Sequence, residues 1–149
     1  MKKIIIALLT TVLITTTLTA CGNTSTQDTD LNKTLGTKEI TVTPTKVTRE
    51  KATSDRKTVL KIEVKVKNNA KKAIGIGAGN FNLKDDDGKV YDNYGLKTDS
   101  LGQELAAGKS VTGNVYFEIP EELEKGWLDY SVSLGQNPAS EWLIAFPKK

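Results

Sequence analysis

The chain has 149 residues and 38% apolar residues, enough for one modest hydrophobic core and short of what two domains need. It contains no histidine and a single cysteine. That excludes Ser-His-Asp and Cys-His catalysis, His-ligated zinc and any intrachain disulfide. The formal net charge is +3, and its distribution along the chain decides what that charge is for.

The N-terminus carries most of it. Lys2 and Lys3 precede an uncharged apolar run, Ile4 to Leu18, without glycine or proline. Small residues and then Cys21 follow. A basic start, an apolar middle and a small-residue cleavage site make a signal peptide. An uncleaved membrane helix would need ~20 apolar residues, more than this run supplies. Leu18-Thr19-Ala20-Cys21 resembles a bacterial lipobox. The resemblance implies a diacylglycerol thioether on the Cys21 sulfur, cleavage between Ala20 and Cys21, and further acylation of the new amino group. Two chains matter because each buried CH₂ contributes about 0.8 kcal/mol and a single chain binds only marginally. The expected place is therefore the cell membrane, lipid-anchored and facing outside the cytoplasm.

Residues 1–20 read as the signal peptide, 21–37 as the lipidated cysteine and a flexible tether, and 38–149 as the folded domain. The tether assignment rests on a run of Thr, Asn, Asp, Gln and Ser that buries too little to offset its chain entropy. Loss of the leader removes two lysines and no acid, which leaves +1. A near-neutral domain lacks the basic field that nucleic acid requires.

From residue 38 the hydrophobic period is two. Ile40 and Val42 alternate with threonines until Pro44, which favours a strand break or an edge. The clearest strand is Leu60–Lys67, with every even residue aliphatic and every odd one charged, so one face meets a core and the other water. Ala73–Ala78 is a short glycine-containing strand. Asn80–Lys84 alternates again, Asp85-Asp86-Asp87-Gly88 turns the chain, and Lys89–Tyr91 returns as a hairpin arm. Val111, Gly113, Val115 and Phe117 share a face before Pro120. Glu121–Lys125 suggests a helical turn. Leu128, Tyr130, Val132 and Leu134 share a face, as do Trp142, Ile144 and Phe146. This predicts an all-β, immunoglobulin-like antiparallel β-sandwich of about seven or eight strands, with a small closed barrel as the alternative.

The order of landmarks carries a resemblance. The aliphatic-charged strand ends in Asn68-Asn69. Phe81–Gly88 with Tyr91, Gly108–Gly113 and Val115–Pro120 follow. Together they resemble a bacterial family of immunoglobulin-like extracytoplasmic domains, many on lipoproteins, of unassigned function. The fold is similar to that of secreted immunoprotective extracellular antigens. The resemblance implies a fold and supplies no catalytic residues.

Candidate sites are few. Asp85–Gly88 as a calcium loop of EF-hand spacing would begin at Leu83 and end at Tyr94, neither of them a ligand type for that position, so a hairpin turn is expected. Gly75-Ile76-Gly77-Ala78-Gly79 has G-x-G-x-G spacing where a dinucleotide loop needs G-x-G-x-x-G, so a strand or bulge is expected. Lys61, Lys65, Lys67, Lys71 and Lys72 read as a solvated face, with anionic wall polymer as the functional alternative. Glu121, Glu122 and Glu124 read as solvated. Tyr94, Tyr116 and Trp127 fall outside the apolar parity of their neighbours and are the candidate interaction surface, although such residues also pack under loops. No metal and no cofactor are expected. The composite expectation is a non-enzymatic binding or interaction module, with an unknown protein or envelope polymer as partner. A structural or protective envelope protein without a specific ligand is the alternative.

Overall fold

A computed structural model of the chain describes residues 29–95, 97–133 and 135–148. The leader, Cys21 and Leu134 lie outside the described residues. The strands are β1 (Leu35–Gly36), β2 (Ile40–Lys51), β3 (Lys57–Asn68), β4 (Ile74–Gly77), β5 (Phe81–Lys84), β6 (Val90–Tyr91), β7 (Gly102–Leu105), β8 (Ser110–Pro120), β9 (Lys125–Tyr130) and β10 (Ser140–Ala145). One sheet has the order β1-β2-β3-β8, the other β10-β9-β5-β6, and β4 and β7 form a separate ribbon. Every strand pair is antiparallel. The molecule is the all-β sandwich that the alternation predicts.

The alternation of β3 builds the core directly. Leu60, Ile62, Val64 and Val66 are fully buried, while Lys65 and Lys67 are exposed. Across the interior stand Phe81 and Leu83 from β5, Leu128 and Tyr130 from β9, and Trp142 and Ile144 from β10. Each such side chain contributes roughly 1.5–3 kcal/mol by leaving water. The rings of Phe81 and Tyr130 lie 5.4 Å apart at 47°, a tilted geometry that suits their quadrupoles. Asn68 closes β3. Its side-chain amide donates to the Lys72 and Leu105 carbonyls at 2.8 and 2.9 Å, and its oxygen accepts the Ala70 N–H at 2.8 Å.

Of the two expectations at Pro44 the edge holds and the strand break does not, and two other local expectations are corrected. The register slips between Pro44 and Lys46, so Thr45 forms a bulge and its hydroxyl donates to Glu63 Oε1 at 2.6 Å. The Pro44 carbonyl faces the outer edge, where it accepts the Asn32 N–H at 2.7 Å. In a strand the N and C=O of one residue point the same way, so the missing proline N–H is lost from the edge and not from the β2–β3 ladder. Glu121 and Glu122 form a non-helical turn, and β9 begins at Lys125. Val132 is 47% exposed, because β9 ends at Tyr130: the Ser131 N–H makes one last bond in the β5 register, to the Asn80 carbonyl, and the chain bends out of the sheet at residues 132–133.

The boundary of the tether is also corrected for residues 29–37. These residues are bonded to the domain. The Asp30 N–H donates to the Leu143 carbonyl at 2.7 Å, and Asp30 Oδ2 accepts the Leu143 N–H at 3.1 Å. The chain then crosses between the sheets at Asn32 (φ 68°) and pairs Leu35 with Val42. Composition missed this because the ordering comes from a pre-existing edge and one apolar anchor, Leu35, packed on the core.

Candidate functional site

The three aromatic candidates do not share a surface. Tyr116 lies on the outer face of β8 but is only 2% exposed, packed with Ala52 and Val59 and touched by the half-buried Tyr94. Its assignment as an exposed contact is corrected. Trp127 is half-buried on the outer face of the other sheet, opposite Lys84 on one side and Leu143 on the other.

Residues 93–95 and 97–100 cover Tyr116. Tyr94 N–H donates to the Tyr116 carbonyl at 2.7 Å, and single bridges join Asn93 to Phe117 and Ser100 to Asn114. Asp99 is the centre of this cover. It accepts the Tyr116 hydroxyl at 2.6 Å, Lys61 Nζ at 2.8 Å and Asn114 Nδ2 at 2.9 Å. Lys61 and then Tyr116 hold its carboxyl down to about 2. Lys97 sits 4.8 Å above the Tyr116 ring and pairs with Glu50 at 2.6 Å, and that pairing raises its own pKa. Lys61, read from sequence as part of a solvated face with an anionic-polymer stripe as the alternative, is thus paired with Asp99. The signal for this cluster was weak, since Asp99 lies far from its partners in sequence.

The opposite face carries a charged trio. Lys84 Nζ lies 3.0 Å from Asp129 Oδ2 and 2.7 Å from Glu141 Oε1. Asp129 is 4% exposed, and burial raises its pKa while Lys84 pulls it down. Hydrogen bonding to Lys84 lowers that of Glu141. A shallow pocket of about 260 Å³ beside Trp127 is lined by Lys84, Asp86 and Glu141. The charges contact one another here, which is the arrangement of an ion cluster and not of an acid poised over a cleft.

The acidic turn is a hairpin turn. Asp85 accepts the N–H groups of Asp87 and Lys89 at 3.1 and 2.9 Å and the Tyr91 hydroxyl at 2.9 Å. Gly88 takes φ 80° there, a conformation that glycine adopts without a Cβ penalty. Asp86 pairs with Lys125 at 2.7 Å. The glycine-rich segment forms β4 and a 3₁₀ turn at Ala78–Asn80, as a strand reading requires. Among the described residues, no cluster of three or more acidic or sulfur ligands is arranged to hold a metal ion. None of their helices is long and apolar enough to cross a membrane.

Sequence reasoning missed the lower end of the sandwich, where β2 ends and β3 starts. Arg49 Nε donates to the Pro147 carbonyl at 2.6 Å, Nη1 to the Glu121 carbonyl at 3.1 Å, and Nη2 to the Leu123 carbonyl. Burial lowers its pKa. An open groove of about 610 Å³ runs beside it, between the lower half of β2 and Pro147–Lys148.

This architecture recurs in solved structures. YcdA of Bacillus subtilis, described as a candidate lipoprotein, superposes with a TM-score of 0.62 at 25% identity, over 75% of this chain. The chain spans 38% of that protein's length. MPT63, a secreted protein of Mycobacterium tuberculosis, gives 0.63 at 15% identity, over 77% of this chain and 95% of its own. YjhA of Bacillus subtilis gives 0.55 at 19%, over 78% and 98%. The class is thus an immunoglobulin-like β-sandwich of unassigned function that occurs in lipoprotein-type and secreted chains. Residues 29–141 match the DUF4352 model, a domain of unknown function, and the chain belongs to that family. No curated protein matches the sequence.

Proposed function

We infer that the chain is a lipoprotein anchored through Cys21, and that its sandwich is a non-enzymatic binding module held outside the cytoplasm. The observation that carries this is the spacing between the lipobox-like cysteine and the first described residue, which is already bonded to the domain. Thr29, whose hydroxyl donates to the Leu143 carbonyl at 3.3 Å, lies eight positions after Cys21. Eight residues reach at most roughly 26–29 Å, so the lower end of the sandwich stays near the anchoring membrane. The likeness to a candidate lipoprotein and to a secreted protein supports the location. The near-neutral domain leaves nucleic acid aside as a partner, and an envelope protein or polymer fits the place.

Cys21→Ala tests the anchor. The variant is expected to leave the membrane fraction or to accumulate unprocessed. Normal processing with full membrane retention would overturn the reading. The binding role is tested by cross-linking on intact cells, followed by a melting shift of the purified chain with the captured partner. A partner bound only by the folded state raises the melting temperature. No shift with any captured partner favours a purely structural envelope role.

A further inference from the structure

β2 is twelve residues long, and its outer edge is only half used. β1 pairs with it at Thr41 and Val42 alone, and the Asn32 N–H reaches Pro44. Beyond the bulge at Thr45, β2 has β3 on one side and, among the described residues, no strand on the other. Residues 46–51 therefore present a free edge about 20 Å long at ~3.4 Å per residue. The upper half shows that this edge accepts an added strand, because the chain's own residues 35–36 are added there.

The groove of about 610 Å³ lies along the free half. Val47 and Pro147 supply apolar lining, and Arg49, Lys51, Lys57 and Lys148 supply positive charge. The one acid in the lining, Glu50, is bonded to Lys97 at 2.6 Å. Lys57 pairs with Glu118 at 2.7 Å. Lys51 and Lys148 have no acidic partner among the described residues. Arg49 spends its donors on carbonyls and keeps its charge. A neighbouring pocket shares Arg49, Pro147 and Lys148 with this groove and is lined by Glu121, Glu122 and Glu124, so acids adjoin that end of the groove and the charge at Lys51 stands farthest from them in its lining.

We propose that residues 46–51 of β2 dock an extended acidic segment of a partner protein, which adds to the sheet as an antiparallel or parallel strand. Backbone hydrogen bonds hold the segment to β2, its alternate side chains meet Val47 and Pro147, and its carboxylates meet Lys51 and Lys148. A second copy fits less well, since two such edges would bring the same cations together. The inference deepens the binding-module reading and rests on it.

The test uses the full chain in detergent and a fluorescent peptide of about nine residues in which Glu alternates with Val. Anisotropy is expected to show saturable binding that weakens with salt. The double variant Lys51→Glu, Lys148→Glu changes two exposed side chains and is expected to keep its melting temperature while weakening binding at least about tenfold. Hydrogen exchange is expected to slow for amides within 46–51 on binding, and peptide N-methylated at alternate residues is expected not to bind. Absence of binding, binding indifferent to the double variant, or binding without amide protection would overturn the proposal. So would protection of the same amides by self-association, or binding to phosphatidylglycerol vesicles in place of the peptide. None of these outcomes bears on the anchoring by Cys21, and a partner captured elsewhere on the sandwich would preserve the binding-module reading while removing this site.

Discussion

The indole N–H of Trp142, on the edge strand β10, donates to the main-chain carbonyl of Lys33 at 2.8 Å. Trp142 is fully buried, so its donor needs a partner, and that partner lies in a segment whose composition looks like linker. The N-terminal strap is part of the core's hydrogen-bond economy.

A chain beginning at Thr29 is therefore expected to melt like the longer one. A chain beginning at Lys38 loses Leu35 from the core, unpairs Leu143 and Val42, and strands the Trp142 donor. The expected loss is on the order of 3 kcal/mol or more. Equal melting temperatures for the two would show that the strap is dispensable.

Gly126 sits where β9 passes close to β5. A Cβ there would stand 2.6 Å from the Lys84 carbonyl oxygen and 3.1 Å from the Phe146 ring. Backbone cannot swing aside as a side-chain end can, so Gly126→Ala is expected to destabilise by roughly 1–3 kcal/mol. Denaturant titration checks this, and an unchanged midpoint would sink the claim of close approach.

Tyr130 presents the opposite case. Its hydroxyl is buried without a partner among the described residues, and burial raises its pKa. Tyr130→Phe keeps the ring against Phe81 and removes the unpaired group. The variant is expected to be as stable as the parent or more stable, by up to about 1–3 kcal/mol. Clear destabilisation would mean that the hydroxyl is bonded in solution.

Asp99 contributes to the acid limb, together with Asp30, Asp85 and Glu141, whose carboxyls are also held below their ordinary values. Its carboxyl is lowered from an ordinary 3.8 to about 2, first by Lys61 and then by Tyr116. A depressed acid contributes stability above its unfolded pKa and loses it as pH falls through its folded one. The Asp99 contribution is thus expected to disappear between pH 4 and 2. Asp99→Asn should melt lower at pH 7 and show a flatter acid limb in that window. Tyr116→Ala should lower stability at every pH, because the ring fills the small cluster with Val59. A parallel pair of acid limbs for parent and Asp99→Asn would refute the assignment.

Local sequence determined a good deal. Period-two alternation in β3, β5 and β10 exists because a half-buried strand must sort its residues by face, and that sorting is visible in any single strand. Turn chemistry was equally legible, since Asp85 bonds residues two to six positions away and Gly88 needs only its own backbone. The lipobox-like motif is also purely local. What only the tertiary structure decided involves partners far apart in the chain. Tyr116 breaks the apolar parity of β8, which marks the outer face, but Asp99 and Lys97 arrive from another segment and bury it. The strap at residues 29–37 is polar by composition and ordered by an edge that exists only once β2 and β10 are in place. The free lower edge of β2 is decided in the same way: whether a strand has a neighbour depends on where all the others go, and no residue within β2 encodes that by itself.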